Sequence, residues 1–198
     1  MLKKRFIVAI AMILTFALCG GKSIAQDSVS HLEFKGIPLN GKIDNFVNKL
    51  KAQGFSVSKQ LGDIVVMEGT FTGKDATVYI ISSEKSHTVW KVLVKLPKRT
   101  SWSSIKSDYE YYKEMFTKKY GNPTDNYEFF SKPYYEGDGY EMSALRNEKC
   151  HYISAYENPA GVIYIEMSTT EQLSINYEDK VNSNIREQEK EASVIDDI

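Results

Sequence analysis

The sequence predicts an α+β fold in which two helix-plus-antiparallel-meander repeats follow one another, with the helices on one face of a curved antiparallel sheet. Two stretches carry apolar residues at helical spacing and end at Gly54 and Gly121, because glycine accepts the left-handed backbone of a helix C-terminus. Each stretch is followed by about four short segments of alternating or β-branched residues, separated by turn signals. The recurrence of this order predicts two similar units.

The N-terminus has the order of a secretory signal peptide. The basic start Met1–Arg5 leads into the apolar stretch Phe6–Leu18, and the small residues around Ala25 follow. The apolar stretch has 13 residues, whereas a spanning helix needs about 20. We therefore expect cleavage near Ala25 and export to the periplasm or the medium, with no stable membrane span.

Lipid anchoring at Cys19 is the alternative interpretation of this leader. Lipoprotein signals place small residues directly before the modified cysteine, whereas the bulky Leu18 stands there in this chain. Cleavage near Ala25 is the interpretation that the residues favour.

Removal of the leader lowers the basic residues from 25 to 21 against 26 acidic ones, a net charge of −5. An acidic chain lacks the positive surface that nucleic-acid binding requires. Cys150 is then the only cysteine, so no intrachain disulfide can form. We expect packing to stabilise a chain of this length.

The first unit begins with a predicted strand over Leu32–Ile37, and a helix over Ile43–Leu50 follows. The helix carries its apolar residues on one stripe and Asp44 in its first turn, where a carboxylate favours the helix dipole. Four strands are predicted after it: Phe55–Ser58, Ile64–Met67, Thr77–Ile81 and Trp90–Leu96.

The second unit begins with a longer helix capped by Ser101, with Ile105, Tyr109, Tyr112 and Phe116 along one stripe. The strands predicted after it are Tyr127–Phe130, Tyr140–Leu145, Tyr152–Tyr156 and Gly161–Met167, and Leu173–Tyr177 is predicted as a short edge strand. The predicted organisation is a signal peptide at 1–25, repeats at 26–98 and 99–177, and a polar tail at 178–198 that forms a weak helix or is disordered.

An aromatic cluster is the candidate binding site. Twelve of the 13 tyrosines lie between Tyr109 and Tyr177. Aromatic side chains on a solvated segment supply a large contact area at little entropic cost. The alternative is that alternate members fill the core. The predicted binding residues are Tyr127, Phe129, Tyr134, Tyr135 and Tyr140.

The sequence lacks the spacings of the common catalytic and metal sites. His31, His87 and His151 are scattered, and neighbours such as Cys150 and His151 point to opposite faces of a strand. The acidic loop 136–141 lacks the alternating ligands of a calcium loop. We therefore predict no enzyme activity, no catalytic residue, no metal and no cofactor.

The chain resembles a group of exported, uncharacterised proteins of gut Gram-negative anaerobes. The resemblance rests on the entry segment 36–41, the helix segment 46–51, the stop Gly54-Phe55 and the helix end Lys118–Pro123, and it covers roughly residues 33 to 170. These proteins are similar in architecture to the β-lactamase-inhibitor protein. The resemblance implies two helices on one face of a curved sheet whose other face can engage a partner protein, and it implies no catalytic residues.

The leading functional prediction is a non-enzymatic module that binds a macromolecule through the open sheet face and the Tyr-rich loop. One alternative is a hydrolase of envelope polymers with a carboxylate pair such as Glu68 and Glu166. The other alternative is a glycan-binding protein. The partner, a protein or a glycan, and the oligomeric state stay open at this point.

Overall fold

The protein is an α+β structure in a computed structural model that describes residues 30–198. It contains an eight-stranded antiparallel sheet, a separate two-stranded hairpin and four helices. The predicted signal peptide and Cys19 lie outside the described residues.

The helices are α1 (Ile43–Ala52), α2 (Trp102–Tyr120), α3 (Glu141–Arg146) and α4 (Lys180–Asp196). The hairpin consists of β1 (Glu33–Phe34) and β2 (Ile37–Pro38). The strands of the large sheet are β3 (Ser56–Leu61), β4 (Ile64–Phe71), β5 (Lys74–Ser82), β6 (Val89–Lys95), β7 (Asp125–Phe130), β8 (Cys150–Asn158), β9 (Gly161–Met167) and β10 (Leu173–Asp179).

The spatial order of the large sheet is β3-β4-β5-β6-β10-β9-β8-β7. Strands β3 to β6 form one meander, strands β7 to β10 form a second, and the last strand of each pairs with the other. The edge strands β3 and β7 therefore lie farthest apart.

One face of the sheet, which we name the covered face, packs against both α1 and α2. Because side chains alternate along a strand, Val78, Ile80, Val92 and Val94 point to the same side, and all are fully buried. Helix α1 buries its apolar stripe there over β5, and α2 crosses β8, β9 and β10. The core of the protein lies between these two layers.

Two strand predictions at the ends of the sequence differ from the structure. The predicted strand Leu32–Ile37 is a hairpin, because Lys35 and Gly36 both adopt positive φ angles, 52° and 74°, and reverse the chain. The predicted edge strand Leu173–Tyr177 is β10, the strand that joins the two meanders. Its polar residues Ser174 and Asn176 are both buried, because strands pair with β10 on either side.

The predicted strand Tyr140–Leu145 is wrong, since Glu141–Arg146 forms α3. Glu, Met, Ala, Leu and Arg are strong helix formers, and that preference outweighs the short alternation. The predicted polar tail contains α4, whose first turn is capped by Asp179 through Asn182. This helix lies across the β5–β6 loop, where Glu189 accepts hydrogen bonds from the backbone amides of Lys85 and Ser86.

Candidate functional site

The second face of the large sheet, which we name the open face, is formed by the alternate residues that point away from α1 and α2. Strand registers align these side chains in rows across the sheet. One row contains Val66, Tyr79, Leu93, Asn176, Tyr164 and Ala155. A neighbouring row contains Glu68, Thr77, Lys95, Ser174, Glu166, Ile153 and Tyr127.

A hydrogen-bonded triad lies at the centre of the open face, next to the junction of the two meanders. The Lys91 ammonium donates to Glu178 at 2.6 Å and to the Tyr164 hydroxyl at 3.0 Å. The Tyr164 hydroxyl lies 3.0 Å from the same Glu178 oxygen. Burial opposes the charge on Lys91, but the bonds to Glu178 and Tyr164 outweigh it and raise the Lys91 pKa. Burial also raises the pKa of Tyr164, so its hydroxyl stays protonated.

A second polar group lies beside the triad. Burial raises the pKa of Glu166, although Asn176 donates to its carboxylate at 3.3 Å and the charges of Lys91 and Lys95 act in the opposite direction. The Lys95 ammonium lies 5.7 Å from the centre of the Tyr79 ring. The centre of the face thus combines aromatic rings with charges of both signs.

The predicted aromatic cluster is divided between two places. Tyr127 and Phe129 extend from β7 on the open face, with 52% and 47% of their surface exposed. The Phe129 ring lies 4.8 Å from the ring of His151, its partner on β8. These two aromatic residues therefore form the outer end of the open face.

The other three predicted residues belong to the loop between β7 and α3, on the helix side. Glu136 of this loop accepts hydrogen bonds from Trp102 of α2 and from Tyr152 of the covered face, each at 3.3 Å. Tyr135 and Tyr140 are 63% and 64% exposed, whereas Tyr134 packs against the core. The structure does not bring this loop together with Tyr127 and Phe129.

The carboxylates Glu68 and Glu166 also lie apart. They occupy the same row, but β5, β6 and β10 stand between their strands. At roughly 4.8 Å per strand, four spacings separate their backbones by about 19 Å. Direct general acid-base work on one bond requires the two groups to be much closer, so these residues do not form the predicted pair.

The other reactive residues are placed as ordinary structural groups. Cys150 is buried on the covered face, and burial raises the pKa of its thiol to about 12. His151 points to the open face, away from that thiol. In the acidic loop, Asp138 accepts hydrogen bonds from the backbone amides of Tyr135 and Tyr140. Among residues 30–198 there is no group of three potential metal ligands.

Sequence reasoning missed the central triad. The alternation of Val89–Lys95 places Lys91 and Lys95 on the face of the strand that points away from the core, so the sequence alone could have placed these two lysines on the open face. The partners Glu178 and Tyr164 come from β10 and β9, and their positions depend on the pairing of β6 with β10. That pairing joins residues more than 70 positions apart, as the Lys91–Tyr164 contact does, and local patterns do not encode it.

Within residues 30–198, no helix has the length and apolar character needed to cross a membrane. Comparisons of the chain with family models, with curated proteins and with solved structures find no match. The proposed function therefore rests on the residues and the geometry described above.

Proposed function

We propose that this is an exported, non-enzymatic protein that binds a folded partner protein on the open face of its sheet. The observation that carries the proposal is the half-buried centre of that face, where Tyr79, Leu93 and Tyr164 lie between Lys91 and Glu166. Aromatic and apolar side chains combined with charged groups are the composition of binding hot spots in protein interfaces.

The burial of the open face supports a concave surface. Tyr79, Ile81, Leu93 and Tyr164 are only partly exposed. The Tyr164 hydroxyl bonds to Lys91 and Glu178, and the Tyr79 ring lies next to Lys95, all within the sheet. A flat, uncovered sheet would leave such side chains more exposed. A concave face holds a partner's convex surface and excludes water from its centre.

The dimensions of the face favour a protein over a short glycan. Eight strands have seven spacings, which at about 4.8 Å each give a width of roughly 34 Å. A typical interface covers about 800 Å² on each partner. The rings of Tyr79 and Tyr164 are also partly buried and lie next to the Lys95 and Lys91 ammonium groups, rather than standing free as stacking platforms for sugars.

Site-specific photo-crosslinking tests the proposal. A photoreactive benzoylphenylalanine replaces Leu93 on the open face or Tyr111 on the outer surface of α2, which is 49% exposed. We expect a discrete crosslinked protein at position 93 in exporting cells and none at position 111. Tyr79→Arg should abolish the crosslink, and the matched change Tyr111→Arg should leave it intact.

Two results would contradict a protein-binding face. Absence of any crosslink at position 93 would show that no partner protein binds the open face. Binding to a glycan array that Tyr79→Arg abolishes would replace the protein with a carbohydrate. Joint replacement of Tyr135 and Tyr140 by Ala should leave the position-93 crosslink unchanged, because their loop lies on the helix side.

We propose export through cleavage of the leader before Gln26, supported by its basic start and its short apolar stretch. N-terminal sequencing of the exported protein should begin at Gln26. A Cys19→Ser variant should be exported and processed as the parent is, whereas loss of processing in that variant would show lipid anchoring.

We also propose that the two meanders are tandem repeats of the kind that the β-lactamase-inhibitor-protein architecture implies. The support is the order of one helix followed by four strands in each half, with the last strands paired antiparallel. The second half differs by the insertion of α3 between its first two strands.

A further inference from the structure

A cavity of about 740 Å³ lies on the helix side, between the β1–β2 hairpin and the C-terminal half of α2. Phe34 of the hairpin packs against two of its lining residues, with ring centres 5.8 Å from Phe71 and 5.3 Å from Tyr177. The walls are mainly apolar, and the volume is within the range of small-molecule sites. The lining residues used in the argument below are Phe71, Met115, Phe116, Tyr120, Ala160 and Tyr177.

The hydroxyl of Tyr177 distinguishes this cavity from a packing defect. The other deeply buried tyrosines use their hydroxyls: Tyr109 bonds to Ser154 at 2.6 Å, Tyr156 donates to the Lys113 carbonyl at 2.9 Å, and Tyr112 bonds to Thr72. Tyr177 is only 5% exposed, and its hydroxyl makes no hydrogen bond within residues 30–198. A buried polar group without a partner is costly, and few proteins keep one without a reason.

The Tyr177 hydroxyl opens into the cavity. Across the described chain, every side-chain nitrogen or oxygen that is sealed from solvent has a hydrogen-bond partner. The unpaired hydroxyl must therefore retain contact with open space, and Tyr177 lines the cavity wall. Burial raises the pKa of this phenol, so it is a neutral donor. It suits an uncharged oxygen acceptor on a ligand.

The rim of the cavity carries more positive than negative free charge. Lys119 is exposed and rests 4.9 Å from the centre of the Tyr120 ring, and Lys35 donates weakly to the Thr70 carbonyl at 3.4 Å. Neither lysine forms an ion pair within residues 30–198. Glu33 is the opposing carboxylate at the rim and is likewise unpaired in the described part of the chain, and His31 lies 3.1 Å from the Asp179 carboxylate.

We propose that the cavity binds an apolar carboxylate whose buried portion carries an uncharged oxygen, such as a hydroxyl group. The apolar body contacts Phe71, Met115 and Phe116. The oxygen accepts a hydrogen bond from Tyr177, and the carboxylate stays at the wet rim beside Lys119. This site lies on the opposite side of the sheet from the open face, so it does not depend on the proposed partner protein.

Calorimetric titration of the chain from residue 26 onward provides the test. The probes are alkanoates and ω-hydroxy alkanoates of increasing chain length. At the length that places the hydroxyl beside Tyr177, we expect the ω-hydroxy acid to bind about fivefold more tightly than the plain acid, the effect of one hydrogen bond. Tyr177→Phe should remove this advantage and leave the binding of plain alkanoates unchanged.

A pair of adjacent lysines tests the rim. Lys119→Gln should weaken both kinds of acid about threefold, as expected for one solvent-exposed charge contact. Lys118→Gln is the matched control, because Lys118 pairs with Glu114 and does not line the cavity. Equal effects of the two changes would assign the attraction to general surface charge and overturn the rim site.

Further results decide the proposal even when one variant fails. Tyr177→Phe should fold and be at least as stable as the parent, because it removes a buried hydroxyl that has no hydrogen-bond partner within residues 30–198. If it does not fold, Met115→Trp fills the cavity from α2 and should abolish binding of every acid. Absence of binding by the parent chain, or selectivity that survives Tyr177→Phe, would overturn the proposal. Binding only after deletion of residues 26–29 would make that segment the occupant and would also overturn it.

Discussion

The two faces of the large sheet are built from alternate residues of the same strands and differ in what their side chains do. On the covered face, Val78, Val92 and Ile165 are fully buried under helices. On the open face, their neighbours Tyr79, Lys91 and Tyr164 are half-buried, and Lys91 donates a hydrogen bond to Tyr164. Burial on the covered face stabilises the fold, whereas the open face is an ordered surface that points away from α1 and α2.

Truncation of an apolar side chain should separate the two faces most clearly. Ile165→Ala on the covered face should lower the free energy of unfolding by about 2–5 kcal/mol, because a fully buried side chain leaves a cavity. Leu93→Ala on the open face should cost about 1 kcal/mol, since Leu93 is only partly buried. Urea denaturation measures both values, and equal costs would show that the open face is packed as a second core.

Two adjacent carboxylates repeat this comparison with polar groups. Asp179 is fully buried, caps α4 through the amide of Asn182 and accepts from the amide of Leu32 at 2.9 Å. Asp179→Ala should therefore cost roughly 3 kcal/mol, the sum of a lost cap and an unpaired amide. Glu178→Ala breaks the partly exposed Lys91 pair and should cost about 1 kcal/mol or less. A larger effect at position 178, measured in the same denaturation experiment, would make the open-face triad the stronger structural element.

Removal of a single hydroxyl gives a smaller contrast between buried tyrosines and exposed ones. Tyr109→Phe leaves the buried Ser154 hydroxyl without one of its partners and should cost about 1 kcal/mol. Tyr127→Phe removes a hydroxyl that forms no hydrogen bond with any residue from 30 to 198, on a ring that is half-exposed, so stability should not change. Thermal unfolding compares the two, and a destabilised Tyr127→Phe would mean that this ring has a structural role on the open face.

The sequence predicted the covered face better than the open face, for a physical reason. The apolar stripes of α1 and α2 and the alternation of β5 and β6 are local patterns. Because residues that are buried on one face are apolar and recur with the period of the helix or strand, these patterns predict the covered face from the sequence. The central position of β10 could not be predicted from local patterns, because it depends on the pairing of β10 with β6, a strand that is distant in the sequence. This pairing buries the polar residues Ser174 and Asn176. The segment Glu141–Arg146 forms α3 rather than the predicted strand, because the helix propensity of its residues outweighs their short alternation of polar and apolar side chains.

The candidate site was predictable only at its outer end. Tyr127 and Phe129 were identified from their aromatic character, and they lie on the open face. Tyr135 and Tyr140 are equally aromatic and exposed, but they lie on the other side because Glu136 fixes their loop to α2. A sequence pattern ranks residues by type, whereas the division of this cluster depends on which side of the sheet the loop follows.

The pH dependence of stability should give the smallest contrast, with opposite signs for two carboxylates. Burial alone would raise the pKa of Asp108 in α2, but hydrogen bonds from Arg99 and Lys74 outweigh it and hold the pKa below its ordinary value of 3.8. The folded state therefore binds the Asp108 proton more weakly than the unfolded chain does. The stabilisation from Asp108 is complete above pH 3.8 and is lost as the pH falls through the lower, folded-state value. Asp108→Asn should flatten the acid limb of the stability curve.

Glu166 on the open face should act in the opposite direction, because burial raises its pKa above the ordinary value of 4.5 despite the charges of Lys91 and Lys95, and Glu178 adds to the rise. The folded state then holds the Glu166 proton more tightly, so this contribution is complete below pH 4.5 and is lost as the pH rises through the folded value. Glu166→Gln carries no such charge and should be slightly more stable than the parent at neutral pH, with a difference that shrinks in acid. Chemical denaturation across this pH range measures both carboxylates. A Glu166→Gln protein that is less stable at neutral pH would show that the ionised carboxylate and its Asn176 contact stabilise the open face, and the contrast between the two faces would then fail at this residue.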